Sequence, residues 1–347
     1  MKILFSLIFL FIACSIKSVD MKKWKVIQTK ELKKMNEDFA SFLFINNNDG
    51  FLFGTNYTDD ILLNKKFNEF NAVVYKTTDG GFTWVGKNIC KGQFVSSFNI
   101  NDTIFCLAVN SSNEAYGDIN KSMLFASYNK GEDWFFVSEF PFFVKNVFFT
   151  SGSTGFAVAK NIKDNGAWHI FKTKDGGKTW KDAFEVDDII EPHLYDSELW
   201  FLGRGISGAN KLLRINLHTL SISDEALPAG LDPEKFFLKD SDLFIVGFIN
   251  SKMVLFTRNE EHGFNKIREF SDEDLFPKHL FVSDRTITVI AGKMKRLSVD
   301  YVVFSSQNDG KSWVENKLPI PDYFNPVAFY NGRIWGYSGE GKIQTNK

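Results

Sequence analysis

Short apolar strands return about every 47 residues between Gly54 and Gly336, and a turn of fixed composition returns with the same period. With 16% aromatic residues, 38 of them Phe, these observations predict an all-β protein: a seven-bladed β-propeller whose last blade is closed by the N-terminal strand.

The strand signal comes first. Apolar runs ending on a small residue occur at "GFLFG", "TIFCLA", "TGFA", "LWFLG", "LFIVG", "TITVIA" and "GRIWG", with Gly54, Ala108, Ala157, Gly203, Gly247, Ala291 and Gly336 as the small residues. A turn signal precedes each: Asp49–Gly50, Asn101–Asp102, Ser151–Gly152, Asp196–Ser197, Asp240–Ser241, Ser283–Asp284 and Asn331–Gly332. Such Asn/Asp/Gly pairs between apolar runs are hairpin chemistry. Each unit therefore reads as strand, tight turn, strand, loop, strand, box and strand, which is one propeller blade.

The box is the second signal. "TTDGGFTW" (77–84) returns as "SYNKGEDW" (127–134), "TKDGGKTW" (173–180) and "SQNDGKSW" (306–313). Its fixed positions are Thr77, Asp79, Gly81 and Trp84; Ser127, Asn129, Gly131 and Trp134; Thr173, Asp175, Gly177 and Trp180; and Ser306, Asn308, Gly310 and Trp313. The Trp-to-Trp steps are 50, 46 and 133 residues, the last about three periods, so two degenerate copies belong in the gap. "TRNEEHGF" (257–264) keeps Thr257, Asn259 and Phe264, whereas "RINLHTLS" (214–221) keeps only Asn216. At the ends, "IQTNK" and "MKKWKVI" together rebuild an imperfect seventh box with Trp24 in the Trp place. Joining the ends into one blade removes the open edges a sheet protein must otherwise protect.

The box residues suit a structural turn. Asp79 accepts from backbone N–H groups of its own turn, Gly81 supplies a positive φ, and Thr77 donates locally. Trp84 covers apolar surface and needs a partner for its indole N–H. These repeats resemble the Asp-box (BNR) repeats of sialidases, sortilin-type receptors, xyloglucanase-like hydrolases and photosystem II assembly factors. The resemblance covers nearly all of residues 22–347. It implies a box on the turn between the third and fourth strands, at the propeller's periphery. It implies little about chemistry, because those families share a scaffold rather than a reaction. No box residue is expected to be catalytic.

The first residues bear on address. Lys2, an apolar stretch from Ile3 to Ala13 and small residues after it read as a signal peptide over residues 1–18. The stretch is too short to span a bilayer, which takes about 20 residues. "FIAC" resembles a bacterial lipobox, with Phe11 in the usual Leu place, which would make Cys14 a lipidated N-terminus. The alternative is an ordinary signal peptide cut between Cys14 and Ser18. Residues 22–347 are expected to form one propeller domain, exported to the periplasm, cell surface or medium, and monomeric. Cys90 and Cys106 remain as an even pair, and a disulfide between them is open.

Composition narrows the partners. With 41 basic against 42 acidic side chains, no polyanion-binding surface and no nucleic-acid partner is expected. The five His share no ligand spacing with each other or with Cys, so no metal and no cofactor is expected. "SDEDLF" (271–276) and "EVDD" (185–188) read as acidic surface loops, and "GRGISG" (203–208) as a Gly-rich hairpin, not a dinucleotide fingerprint. Asn56, Asn101, Asn110 and Asn120 head Asn-x-Ser/Thr triplets, which matter only in a eukaryotic host. The sialidase resemblance would imply an Arg in an early blade; no Arg precedes Arg204, and Lys does not replace a bidentate guanidinium.

Blade phase sorts the connections onto two faces. Boxes and first hairpins share one; the other carries the longer segments 56–70, 110–121, 139–145 and 160–168, where binding is expected. Phe142, Phe143, Trp168 and Tyr323 are the aromatic candidates there. Three readings follow: a non-enzymatic binding module for a protein partner, a glycan-active or glycan-binding propeller, and a structural surface protein. Carboxylates clustered in the channel mouth favour the second; a dry channel with an aromatic patch on the long-loop face favours the first.

Overall fold

The computed structural model describes residues 24–27, 36–57, 69–111, 119–160, 167–186, 189–204, 210–239, 241–259, 261–296, 299–317, 325–330, 333–337 and 343–346. Trp24's box, Tyr323, Cys14 and most of the segments 56–70, 110–121, 160–168 and 203–208 lie outside them, or have side chains outside them. After β1 (Trp24–Ile27), the first blade is β2 (Asn36–Phe44), β3 (Gly50–Tyr57), β4 (Asn71–Thr77) and β5 (Val85–Lys91). The second is β6 (Gln93–Ile100), β7 (Thr103–Ser111), β8 (Ile119–Ser127) and β9 (Phe135–Phe140). The third is β10 (Phe143–Phe149), β11 (Gly155–Lys160), β12 (Trp168–Thr173) and β13 (Lys181–Val186). The fourth is β14 (Ile190–Tyr195), β15 (Glu198–Arg204), β16 (Asn210–Asn216) and β17 (Ile222–Ala226). The fifth is β18 (Asp232–Lys239), β19 (Asp242–Ile249), β20 (Lys252–Asn259) and β21 (Gly263–Glu269). The sixth is β22 (Leu275–Ser283), β23 (Thr286–Met294), β24 (Val299–Ser306) and β25 (Val314–Lys317).

Each is an antiparallel meander of four consecutive strands, and the first strands of successive blades neighbour one another around a common axis. The chain is thus an all-β propeller with six blades built from consecutive strands, against the seven expected. The C-terminal strands β26 (Asn325–Tyr330), β27 (Arg333–Tyr337) and β28 (Ile343–Asn346) form a further sheet of mixed origin with β1.

Both faces of a blade are covered by its neighbours, which is why the second strands read as continuous apolar runs instead of alternating ones. Phe51 and Phe53 of the first blade pack with Ile104, Cys106 and Ala108 of the second. Phe105 of the second stacks on Phe149 of the third with ring centroids 3.9 Å apart. Phe156 and Ile170 meet Phe201 and Ile215, Trp200 and Leu212 meet Phe236 and Ile245, and Val246 and Leu255 meet Val289 and Phe304. Cys90 and Cys106 sit in the first of these interfaces as free thiols, so the open disulfide is absent. Burial pushes the Cys90 thiol up to about 12, which leaves it unreactive.

The four best repeats fold alike. Thr77 Oγ1 donates to Asp79 Oδ1 at 2.8 Å and accepts from Gly81 N at 2.9 Å. Asp79 Oδ1 also accepts from the N–H groups of Phe82 and Thr83, both at 2.9 Å. The Trp84, Trp180 and Trp313 indoles donate to the carbonyls of Gly81, Gly177 and Gly310 at 3.1, 2.8 and 2.9 Å. A position the sequence did not expose completes the turn. Where the third box residue is Asp, the residue before Trp is a donor: Thr83 and Thr179 hydroxyls reach Asp79 and Asp175 at 2.7 and 2.6 Å. Where it is Asn, its Nδ2 donates instead, to Asp133 from Asn129 and to Ser312 from Asn308. These bonds hold the Asp175 carboxyl down at about 2, the Thr179 hydroxyl contributing most.

The turns also bind blade to blade. Gly131, Gly177 and Gly310 have φ of +79, +89 and +83°, and a Cβ on each would meet the preceding blade: Phe51 at 2.1 Å, Leu124 at 2.9 Å and Ile267 at 2.3 Å. Trp134 lies edge-on to Phe53 of the preceding blade with centroids 5.9 Å apart, and Trp180 Nε1 also reaches Ser138 Oγ there at 3.2 Å. The degenerate copies keep only a tight turn: Asn259 Oδ1 accepts from His262 N at 2.7 Å, and Asn216 Oδ1 from His218 and Thr219 N at 3.0 Å.

Gly131→Ala therefore loses about 1–3 kcal/mol of unfolding free energy from backbone strain and overlap with Phe51. Gly152→Ala is close to neutral, because nothing lies within 4 Å of its added Cβ. Equal melting of the two variants would show that the box glycine makes no such contact.

Candidate functional site

The first strands of the six blades, and β26 of the further sheet, share an irregularity near their beginnings. Pairing slips between Phe39 and Ser41, Phe94 and Ser96, Val144 and Asn146, Ile190 and His193, Pro233 and Lys235, Pro277 and His279, and Pro326 and Ala328. Each slip is a β-bulge, which bends the strand and re-aims its side chains. The recurring small residue now has a reason. Gly54, Ala108, Gly247, Ala291 and Gly336 lie opposite the residue before the bulge. At Gly247 a Cβ would come within 2.2 Å of the Asp232 carbonyl oxygen. The third and fourth blades depart from this: Ala159 takes the place expected of Ala157, and Gly203 pairs with Lys211.

Polar side chains on these bulged strands bridge three of the blade junctions. Ser41 and Ser97 hydroxyls are 2.7 Å apart, and Lys145 Nζ donates to Ile189 O at 3.3 Å. Lys235 pairs with Glu191, and His193 lies edge-on to Phe236 with centroids 4.6 Å apart. Glu191 has φ of +49°, a conformation unusual for a residue with a side chain. Burial holds His193 below the ordinary imidazole range, against Glu191 and with Lys235. Burial also raises the Glu234 carboxyl, with Asp232 and Glu191 adding repulsion and Lys235 opposing. Glu234 is exposed and His193 half-buried, and the sequence did not signal either perturbed proton affinity, because a bulge alters which way a strand's side chains point.

A cavity of about 570 Å³ opens on the same face, between the fifth and sixth blades. Phe248, Leu275, Phe276 and Met294 give it apolar walls, and Asp232, Glu273 and Asp274 are its carboxylates. The fifth blade's connection here is a two-residue turn, Asn250–Ser251 at φ +49 and +65°, not a long loop. Among the described residues, no group of three His, Cys, Asp or Glu is placed to hold a metal ion.

Three of the four aromatic candidates, Phe142, Phe143 and Trp168, are half-buried, and Tyr323 lies outside the described residues. Phe142 is half-buried, stacked on Phe171 at 4.9 Å and packed on the core between the second and third blades. Phe143 is half-buried beside Trp168 at 6.5 Å. Trp168 packs on the next interface, with Lys145 and Lys160 ammonium groups 5.5 and 5.7 Å from its ring centroid. An apolar ring at a blade junction is drawn into the junction. The large apolar side chains that are exposed, such as Tyr128, Phe135 and Phe136, lie at the box and the outer edge of the second blade.

No family model matches the chain, and no curated protein sequence matches it. Solved propellers do. A prolyl endopeptidase aligns with TM-score 0.58 and 10% identity over 90% of this chain and 50% of its own. An ulvan lyase of polysaccharide lyase family 25 aligns with TM-score 0.53 and 10% identity over 90% of this chain and 94% of its own. The Trypanosoma rangeli sialidase aligns with TM-score 0.49 and 10% identity over 78% of this chain and 55% of its own. The chain thus spans only about half the length of the endopeptidase and the sialidase. At such identities the likeness establishes the propeller fold and no activity.

His193 titrates below its ordinary value of 6.5, so it is neutral at pH 7. Its proton binds more readily to the unfolded chain, so stability falls as pH drops below 6.5 towards the folded value. Lys235→Met removes a cation and frees Glu191, so it moves the His193 midpoint upward in an NMR titration. A downward or absent shift would place Lys235 away from the imidazole.

Proposed function

We propose that the protein is an exported binding propeller that engages a protein partner through its long-loop face. The observation that carries this is the cavity on that face, whose lining combines Phe248, Leu275, Phe276 and Met294 with the carboxylates Asp232, Glu273 and Asp274. The four repeated turns are read as Asp boxes: their polar atoms are consumed within the turn, which leaves them to scaffold. The sheet of β26, β27, β28 and β1 is read as a seventh blade. Its support is β26 lying beside both β2 and β22, and Trp24 of β1 pairing opposite Asn346 of β28. Lys2, the apolar stretch after it and Cys14 support export, with Cys14 as the lipid anchor.

A second reading, a glycan-active propeller, is favoured by Glu234 and His193, titratable groups with perturbed proton affinity beside the bulges of β18 and β14. One experiment separates the two: quantitative capture from the native envelope or medium beside a panel of glycosidase and polysaccharide-lyase substrates. The binding reading expects a saturable protein partner that is lost with charge-reversing changes on the long-loop face, and no turnover. Turnover abolished by Glu234→Gln or His193→Ala at unchanged melting temperature would replace it with the glycan reading.

Two changes at the N-terminus test address and closure. Cys14→Ser moves the protein from the membrane to the soluble fraction without altering its melting temperature. Removing residues 1–30 exposes an edge of the composite sheet and lowers the melting temperature. Unmodified mass downstream of Cys14, or a truncated chain that melts like the mature one, would overturn the respective reading.

A further inference from the structure

We infer that the cavity between the fifth and sixth blades is a docking site for an extended protein segment carrying Lys or Arg next to a large apolar side chain. The inference rests on the protein-binding reading and names the chemistry of the partner. The described lining residues include three carboxylates, Asp232, Glu273 and Asp274, and no basic residue. Among the described residues neither Glu273 nor Asp274 forms an ion pair; the nearby Lys293 ammonium pairs with Asp272 and feels Asp274 only as a lesser, longer-range charge. Asp232 accepts from Asn210 Nδ2 at 3.3 Å through Oδ1, a neutral donor that leaves its charge uncompensated. Net negative charge is therefore concentrated at the rim of a protein whose total charge is only −1.

The walls supply the second requirement. Met294 is 59% exposed at the cavity's edge, and Phe248 and Phe276 line it with Leu275. An exposed methionine beside aromatic rings gives an adaptable apolar surface. A free cation is the competing occupant. The carboxylates do not converge, since no group of three His, Cys, Asp or Glu among the described residues could hold an ion. The volume of about 570 Å³ is also far larger than an ion requires and falls within the range of ligand pockets. Dispersed negative charge around apolar walls suits cationic groups spaced along a chain with apolar groups between them. The two-residue turn Asn250–Ser251 keeps the fifth blade's rim low, so a segment can enter from the side without displacing a loop.

The test uses the mature full-length chain and three labelled peptides, followed by fluorescence anisotropy. They contain Leu-Lys-Phe-Lys, Leu-Glu-Phe-Glu or Ser-Lys-Ser-Lys between Gly-Ser flanks. Saturable binding of the first, at least about tenfold tighter than either other peptide and weakened by salt, is expected. The Glu273→Gln/Asp274→Asn double variant weakens it by about tenfold or more, and Met294→Ser weakens it separately, both at unchanged melting temperature. Equal binding of the acidic peptide, no binding of the first, or indifference to the double variant overturns the inference. Equal binding of Ser-Lys-Ser-Lys would reduce the site to a cation-binding rim and also overturns it. If a native partner is captured by wild type and double variant alike, this inference fails while the binding reading stands. If neither captures a protein, the binding reading fails as well.

Discussion

The propeller depends on a turn that satisfies its own polar atoms. Asp79 takes two backbone N–H groups and two hydroxyls within a seven-residue loop, so the loop presents little unmet polarity to its neighbours. That frees Trp84, Trp134, Trp180 and Trp313 to cover apolar surface. It also lets the glycines approach the preceding blade closely enough that a single methyl group would collide. The interfaces are apolar and large, but apolar contact alone does not fix the angle between two sheets. A directional turn lodged at the outer edge of the junctions that Gly131, Gly177 and Gly310 enter supplies that missing constraint.

The sequence exposed this layer well, for a physical reason. A turn that closes on itself has a local pattern, so Thr77, Asp79, Gly81 and Trp84 stand at fixed offsets wherever it recurs. The residue before Trp escaped notice because its chemistry alternates with its partner: Thr83 and Thr179 donate to Asp, whereas Asp133 accepts from Asn129. The channel mouth was much less legible. Side-chain direction in a strand has a period of two, and one bulge inverts it. Nothing local in "IEPHLY" or "DPEKFFLK" states where the ladder slips, although Pro192, Pro233, Pro277 and Pro326 recur beside the slips and Pro is favoured at such breaks. Phe142 and Trp168 show a second limit of a local pattern. Loop position suggested exposure, but a ring at the start of a strand in this fold reaches the next blade before it reaches solvent.

Rigid outer joints and irregular inner strands divide the labour of the fold. Bulges are costly to the ladder, yet the first strand of each of the six blades carries one near its beginning, as does β26. The bends draw side chains from neighbouring blades together, and the resulting bridges are polar: Ser41 with Ser97, Lys145 with the Ile189 carbonyl, Lys235 with Glu191. Glu191, with its positive φ, pairs with Lys235 of the next blade within this belt. Such strain persists only where the surroundings over-determine it.

The belt and the cavity are not independent sites. Asp232 begins β18 at the cavity rim, buried Pro233 follows, and Glu234 stands one residue farther along. Asp232 is among the causes that raise the Glu234 carboxyl, after burial itself. Glu191, which adds to the same effect, is in turn paired with Lys235 next in the chain. Asp232 and Glu234 are both exposed, so solvent screens the repulsion between them, and burial remains the larger cause of the raised carboxyl. The cavity rim and the bulged start of β18 share one local electrostatic environment, set by Asp232, Glu191 and Lys235, because two residues of one strand carry both.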